Sequence, residues 1–232
     1  MPAGNGHNDA RGVWQYGEND ADALFSDLLN RGQSSVSAAI AADRTRLGNL
    51  EAIRPGTRKI KPASVVVNAG AQVIGADGTV RLSGAVNKVS LVGLFGGSYE
   101  NYKITLRVKS SAAELMAMQL RAGGADAVAA NYAYQGFGMS GAAASGGAAP
   151  AAAQWAAGNA VGTDHVITIH LFGPALAAAT IMETDYYTIN GATRTIGRMG
   201  GDHSLATAYD GLTLSMTGVA TMTGFITCEG LN

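Results

Sequence analysis

An antiparallel β-sandwich or jelly roll, preceded by a short α-helical segment, is the mainly β fold class that this sequence predicts. Three observations predict it. From Lys59 onward, apolar residues recur with a period of two. Asp77-Gly78 and Asn190-Gly191 each separate two such runs, as hairpin turns do. A helical period is confined to residues 19–54, so no helix separates one strand from the next, as a parallel βαβ fold would require.

In chain order, residues 1–18 have no period and are rich in Gly, Asn and Asp, with Trp14 and Tyr16 as exceptions. An aromatic pair in a polar arm either packs back on its own domain or anchors the arm to a partner. Here it is read as an attachment arm. A first short helix is expected to start near Asp20 or Asp22 and to stop at Gly32, with Leu24, Phe25, Leu28 and Leu29 on its apolar side. A second starts at Ser34 or Ser35 and runs to about Ile53. Arg54-Pro55-Gly56 ends it, because the residue before proline is disfavoured in the α region.

In this second helix Gln33, Val36, Ile40, Asp43, Leu47 and Leu50 alternate steps of three and four, the a/d spacing of a coiled coil. An amphipathic helix lying on its own β-domain is the commoner arrangement. The narrow stripe argues against it, since a globular helix shows a wider apolar face. So does Asp43, a polar residue on the stripe beside Arg44 and Arg46. Val36, Ile40, Asp43, Leu47 and Leu50 are therefore assigned to oligomerisation. Such a helix, marginal alone, gains stability in a bundle.

Residues 55–232 form the β-domain. "YKITLRVK" places Tyr102, Ile104, Leu106 and Val108 on one face. "HVITIHLF" groups Ile167, Ile169 and Leu171, and "GLTLSM" groups Leu212, Leu214 and Met216. Residues 115–121, helical by propensity, are assigned to a strand from their context, giving ten or so strands. Arg54, Arg58, Lys59 and Lys61 read as a solvated linker. Residues 136–162, Gly/Ala-rich with Pro150 and Trp155, read as a long excursion between two groups of strands.

Composition narrows the function. Hydrophobic residues at 47% allow a proper core, while charged residues at 14% fall well below the usual ~25%. With 32 glycines and so little charge, much surface is free to be buried by neighbouring subunits. Sixteen basic residues against seventeen acidic ones leave no basic field for nucleic acid or an anionic membrane. No apolar run is long enough for membrane insertion, and no secretory signal is visible. Cys228 is the single cysteine, so no intrachain disulfide forms, which fits folding in a reducing cytoplasm.

Chemical motifs are weak. "GFGMSG", residues 136–141, has the G-x-G-x-x-G spacing but lacks the βαβ context that gives it meaning. His165 and His170 lie five apart on one strand and point to opposite faces. His203 is expected in a surface turn, and His7 in the arm. No metal or cofactor is expected. Glu183, Asp185, Asp202 and Asp210 are the C-terminal carboxylates available for glycan hydrolysis, but all are placed near turns. Tyr132, Tyr134, Trp155, Tyr186 and Tyr187 are candidates for receptor contact, because aromatic rings stack on sugars and anchor interfaces.

One stretch carries a resemblance. "GVWQYGENDADALFSDLLNRGQSSVSAAIAADRTRLGNLE", residues 12–51, resembles the N-terminal region of minor tail proteins from phages of actinobacteria. The shared core stands here as Phe25-Ser26-Asp27-Leu28-Leu29-Asn30 and Gly32-Gln33-Ser34-Ser35-Val36-Ser37, followed by Asp43-Arg44 and Arg46-Leu47. Residues 62–95 look like the start of the β-domain in such proteins. The resemblance implies a homotrimeric virion protein of the tail tip or tail fibre, assembled in the host cytoplasm. Other tail or baseplate proteins would be its partners, and its β-domain would bind a host-surface glycan or protein. It brings no catalytic motif. A purely architectural baseplate or head-decoration protein and a cell-wall glycan hydrolase are the alternatives.

Overall fold

A computed structural model of the chain describes residues 7–8, 14–15, 33–44, 58–158 and 162–231. The chain divides into two compact units, Met1–Pro55 and Gly56–Asn232. In the first, β1 (His7–Asn8) pairs antiparallel with β2 (Trp14–Gln15). Residues 33–44 form helix α1, whose every residue is exposed. The expected first helix, Tyr16, Leu47 and Leu50 lie outside the described residues.

The second unit is built from antiparallel strands that form two sheets. β3 is Arg58–Lys59, β4 Ser64–Val67, β5 Ala71–Ile74, β6 Val80–Val86, β7 Lys88–Val92 and β8 Asn101–Glu114. Then come β9 Met116–Ala122, β10 Ala125–Asp126, β11 Tyr132–Ser140, β12 Ala143–Ala152, β13 Trp155–Ala156 and β14 Gly162–Phe172. The last four are β15 Thr180–Asn190, β16 Thr193–His203, β17 Gly211–Met216 and β18 Met222–Leu231. The smaller sheet runs β10-β9-β17-β7-β4, with β13 also on β9. The larger runs β12-β11-β16-β15-β14-β8-β18-β6-β5, with β3 also on β18.

The alternation read in "YKITLRVK" holds along β8: Tyr102, Ile104, Leu106 and Val108 are buried. Across β14 they face Leu171, Ile169, Ile167 and His165 in register. Met116, Met118 and Leu120 from β9, Leu212, Leu214 and Met216 from β17, and Val89 and Leu91 from β7 join the same core from the smaller sheet. All but the first of residues 115–121 are thus strand, as expected: propensity gives way where alternate residues bury themselves on a second layer.

Four local readings are corrected. Residues 136–162 are not an excursion. Their larger part forms the end of β11, all of β12 and β13. The glycines that suggested flexibility are there because the sheet is covered closely. A Cβ at Gly138 would lie 2.8 Å from Tyr186 Oη, and one at Gly136 would meet Met199. Pro150 sits on an edge strand beside the register shift between Tyr132 and Tyr134, where a missing N–H costs least.

The two turns differ from the type I′ pattern, which needs positive φ at both central residues. Asn190 pairs with Thr193, so the turn is Gly191-Ala192, with positive φ at Gly191 alone. The Asp77-Gly78 loop is longer: Gly75 N–H donates to the Thr79 carbonyl, and only Gly78 has positive φ. The described part of the basic linker is not a free linker. Arg58 and Lys59 pair with Gly230 and Glu229 as β3 on β18, and Lys59 bonds Asp77 at 3.0 Å. Lastly, His203 is no surface-turn residue. It ends β16 and is fully buried.

Candidate functional site

The histidine joins an aromatic cluster between the two sheets. Tyr132 meets Trp155 edge-on at 4.9 Å between ring centroids and His203 at 4.2 Å. Tyr209 lies 5.3 Å from His203 and shares a 3.0 Å hydrogen bond with its Nδ1. Trp155 Nε1–H donates to the carbonyls of Ala133 and Asp202, both at 3.1 Å. Tyr132 Oη accepts from Leu120 N–H and donates to the Ala127 carbonyl, both at 2.9 Å. These bonds cross from the larger sheet to the smaller. Burial pushes the His203 imidazole below its ordinary value, against the opposing charge of Asp202.

Tyr132, Trp155 and Tyr186 are therefore corrected as receptor candidates: all three are core residues with no surface to offer. Their large apolar rings gain more from burial than from display. Tyr134 is half-buried above Gly201, whose Cβ would meet it. Tyr187, 39% exposed, is the one of the five that stands on an open face. Of the helix positions, Val36 and Ile40 are 58% and 49% exposed, and Asp43 is exposed as well. Trp14 falls in β2.

Glu183 and Asp185 are not near turns but mid-strand in β15, on the outer face of the larger sheet. Arg198 on β16 holds both, at 2.8 and 3.5 Å. They stand side by side rather than across a cleft. Asp202 lies in β16, and Asp210, just before β17, accepts from Gly123 N–H at 3.2 Å. His165 and His170 do face opposite ways. His165 is buried and bonds the Gly162 carbonyl at 2.9 Å, while His170 looks outward beside Lys103 and Glu183. "GFGMSG" is the end of β11 and the first residue of the turn that leads to β12. Among the described residues no group of three or more His, Cys, Asp or Glu is placed to hold a metal.

Two features went unread in the sequence. On the smaller sheet's outer side Arg121, Asp126, Lys88, Ser90 and Thr213 form one polar network. Lys88 Nζ lies 2.6 Å from Asp126, Thr213 Oγ1 also lies 2.6 Å from it, and Arg121 pairs with it as well. Burial alone would raise the Asp126 carboxyl. The hydrogen bonds from Lys88 and Thr213 and the charges of Lys88 and Arg121 outweigh it and hold the carboxyl below the usual range. No sequence spacing announces this network, because its members come from four strands.

The other lies on the outer face of the larger sheet. Val166, Tyr187, Ile196, Met139 and Ala144 are cross-strand neighbours on β14, β15, β16, β11 and β12, so they form a continuous apolar row. Phe137, 70% exposed, stands beside its end. Next to Val166 and Tyr187 a 340 Å³ cleft is lined by Arg107, Asp164 and Ile189. The signal was available in "YYTI", "TRTI" and "FGM", where the outward half of the alternation is as apolar as the inward half.

The sequence matches no protein-family model, and no curated protein or solved structure matches it either.

Proposed function

We propose that this chain is a structural virion protein of a phage tail tip or tail fibre, gathered into a homotrimer by its N-terminal helical segment and presenting β-domains to the host surface. One observation carries the reading. Helix α1 has every residue exposed, yet Val36 and Ile40, four apart, lie on one side of it. A 12-residue helix with an uncovered apolar side has little stability of its own and gains it against like helices. The resemblance of residues 12–51 to minor tail proteins of actinobacterial phages supports the same assembly. In this reading the sandwich is a non-catalytic head, the arm with Trp14 and Tyr16 docks on tail or baseplate proteins, and weak contacts repeated on each copy bind a surface glycan or protein by avidity.

Light scattering on the full chain tests the assembly. The expected mass is that of a trimer, falling to a monomer in Val36→Asp/Ile40→Asp; a wild-type monomer would refute it. Labelled wild-type protein should also decorate intact actinobacterial cells more strongly than the double variant.

A purely architectural virion part is the second reading, and one observation favours it. The exposed aromatics Phe137 and Tyr187 stand on a sheet face rather than in loop tips. Their position suits burial by another protein as well as contact with a receptor. A wild-type trimer that decorates no actinobacterial cells would favour architecture over adhesion.

A further inference from the structure

The larger sheet breaks the ordinary rule for a sheet with one wet face. Along β15, β16, β11 and β12 the inward positions hold a few large core residues, Met182, Tyr186, Met199 and Tyr132, and between them small and polar ones: Thr184, Thr188, Thr195, Gly197, Gly138, Ser140 and Ser145. The hydroxyls of Thr184, Thr188 and Ser145 are buried there with no hydrogen-bond partner among the described residues. On the same strands the outward positions carry Tyr187, Ile189, Ile196, Met139 and Phe137, beside the charged Glu183, Asp185, Arg194 and Arg198. An antiparallel sheet with a solvated face places polar residues outward. The outer face at this end therefore carries more apolar surface than a solvated face calls for.

We propose that this face, the row Val166, Tyr187, Ile196 and Met139 with Phe137 beside it, is the contact between the β-domains of neighbouring copies of this chain. The proposal rests on the reading of the chain as self-assembling, and adds where its heads meet. The row crosses four strands, and with Ala144 on β12 five, so it is ~20 Å long in all. Its side chains leave roughly 500 Å² uncovered, as much as the largest patch of a typical monomer, and the flat Ala144, Gly146 and Ala148 beside it extend that towards the about 800 Å² per partner of a stable interface.

Charge also favours a like partner. The ionised groups of this face are mostly paired within it: Arg198 with Glu183 and Asp185, Lys109 with Asp164 at 3.7 Å, Lys103 with Glu229 at 3.4 Å. A face neutralised this way does not repel its own copy and offers no net field to a charged stranger. The edge strand β12 adds no charge either.

Single cysteines placed in the full chain test this. Cys228 can stay, because burial pushes its thiol up to about 12 and leaves it unreactive. Tyr187→Cys, Ile196→Cys and Met139→Cys are oxidised at low protein concentration beside Val73→Cys. Val73 is 63% exposed on β5, at the far end of the same sheet. At least one row cysteine should form covalent dimers roughly a hundredfold faster than Val73→Cys, because assembled copies hold each other at high effective concentration.

Equal rates at all four positions overturn the proposal. If Val36→Asp/Ile40→Asp disperses the oligomer while no row cysteine links faster, the face is wrong and the helix reading stands. If fast linking survives that double substitution, the face is right and the helix is not the gathering element. A wild-type monomer with no fast linking removes both.

Discussion

At its centre the larger sheet keeps most of its large apolar residues on one side, with Val166 and Phe172 as exceptions, and at its β16-β11-β12 end it does so less. On β8 and β14 the inward row is Tyr102, Ile104, Leu106, Val108 and Ile167, Ile169, Leu171, while the outward row is Lys103, Thr105, Arg107 with Thr168 and His170, and Val166 and Phe172 at its two ends. Towards the other end, glycine and hydroxyl residues take the inner side, and Ile196, Met139 and Phe137 the outer. The inner side still closes, because Tyr186 and Met199 lie flat over Gly138, Gly197 and Gly136. The centre is a sheet stabilised by its own core. The end is stabilised by a few aromatic side chains laid across glycines, with apolar area left over on the outside.

That contrast is sharpest at the aromatic cluster. Trp155→Ala should cost about 3–5 kcal/mol in denaturant unfolding, since it empties a fully buried site and strands the two carbonyls Trp155 bonds. Leu106→Ala, in the ordinary core, should cost about 2–5 kcal/mol. Val73→Thr, on the exposed face, should stay within about 0.5 kcal/mol. A Trp155→Ala loss no larger than that of Val73→Thr would deny the end of the sheet any anchoring by this cluster.

Close glycine packing makes the next prediction. Gly138→Ala should destabilise by about 1–3 kcal/mol, because its Cβ would press on Tyr186 Oη and the Ile196 carbonyl. Gly146→Ala, on β12 with one neighbour at 3.3 Å, should cost much less. Equal costs in thermal melts would mean that the glycines mark flexibility after all.

Acid tests the two regions through different groups. His203 and His165 have imidazoles lowered by burial, so the unfolded chain binds protons more readily than the folded one. Their contribution is complete above the unfolded histidine pKa of about 6.5 and is lost as pH falls below it. Asp126 has a lowered carboxyl, so its contribution holds above about 3.9 and is lost as pH falls through its folded value. Stability, followed by unfolding against pH, should therefore fall first below about 6.5, a step that His203→Phe reduces, and again below about 3.9, a step that Asp126→Asn flattens. Smallest in effect, Cys228 should resist alkylation at pH 8 until the chain unfolds.

Much of the fold was legible in the residues. The period of two in "YKITLRVK" and "HVITIHLF" assigns β8 and β14 and their buried faces, because a strand sends alternate side chains to opposite sides whatever surrounds it. Less legible was "GFGMSGAAASGGAAPAAAQW". Gly and Ala there look like a loop by composition, yet they form strands because Tyr186 and Met199 need backbone with no side chain beneath them. Of the surface candidates, Tyr187 stands exposed and Tyr132, Trp155 and Tyr186 do not, since an aromatic residue in a strand carries no label for the side it faces until its partners are known.

By itself the sequence determined the class of the protein: antiparallel strands, a core of branched and aromatic residues, a chain with little charge, and a helix whose Val36 and Ile40 lie on one side. Those properties are local, set by spacing and by the chemistry of single residues. Only the tertiary structure decided which strands neighbour which. That order buries Tyr132, Trp155, His203 and Tyr209 together and brings Val166, Tyr187, Ile196 and Met139 into one row. A row drawn from four strands exists only once the cross-strand hydrogen bonds fix their register, because a slip of one residue would turn each of those side chains to the other face.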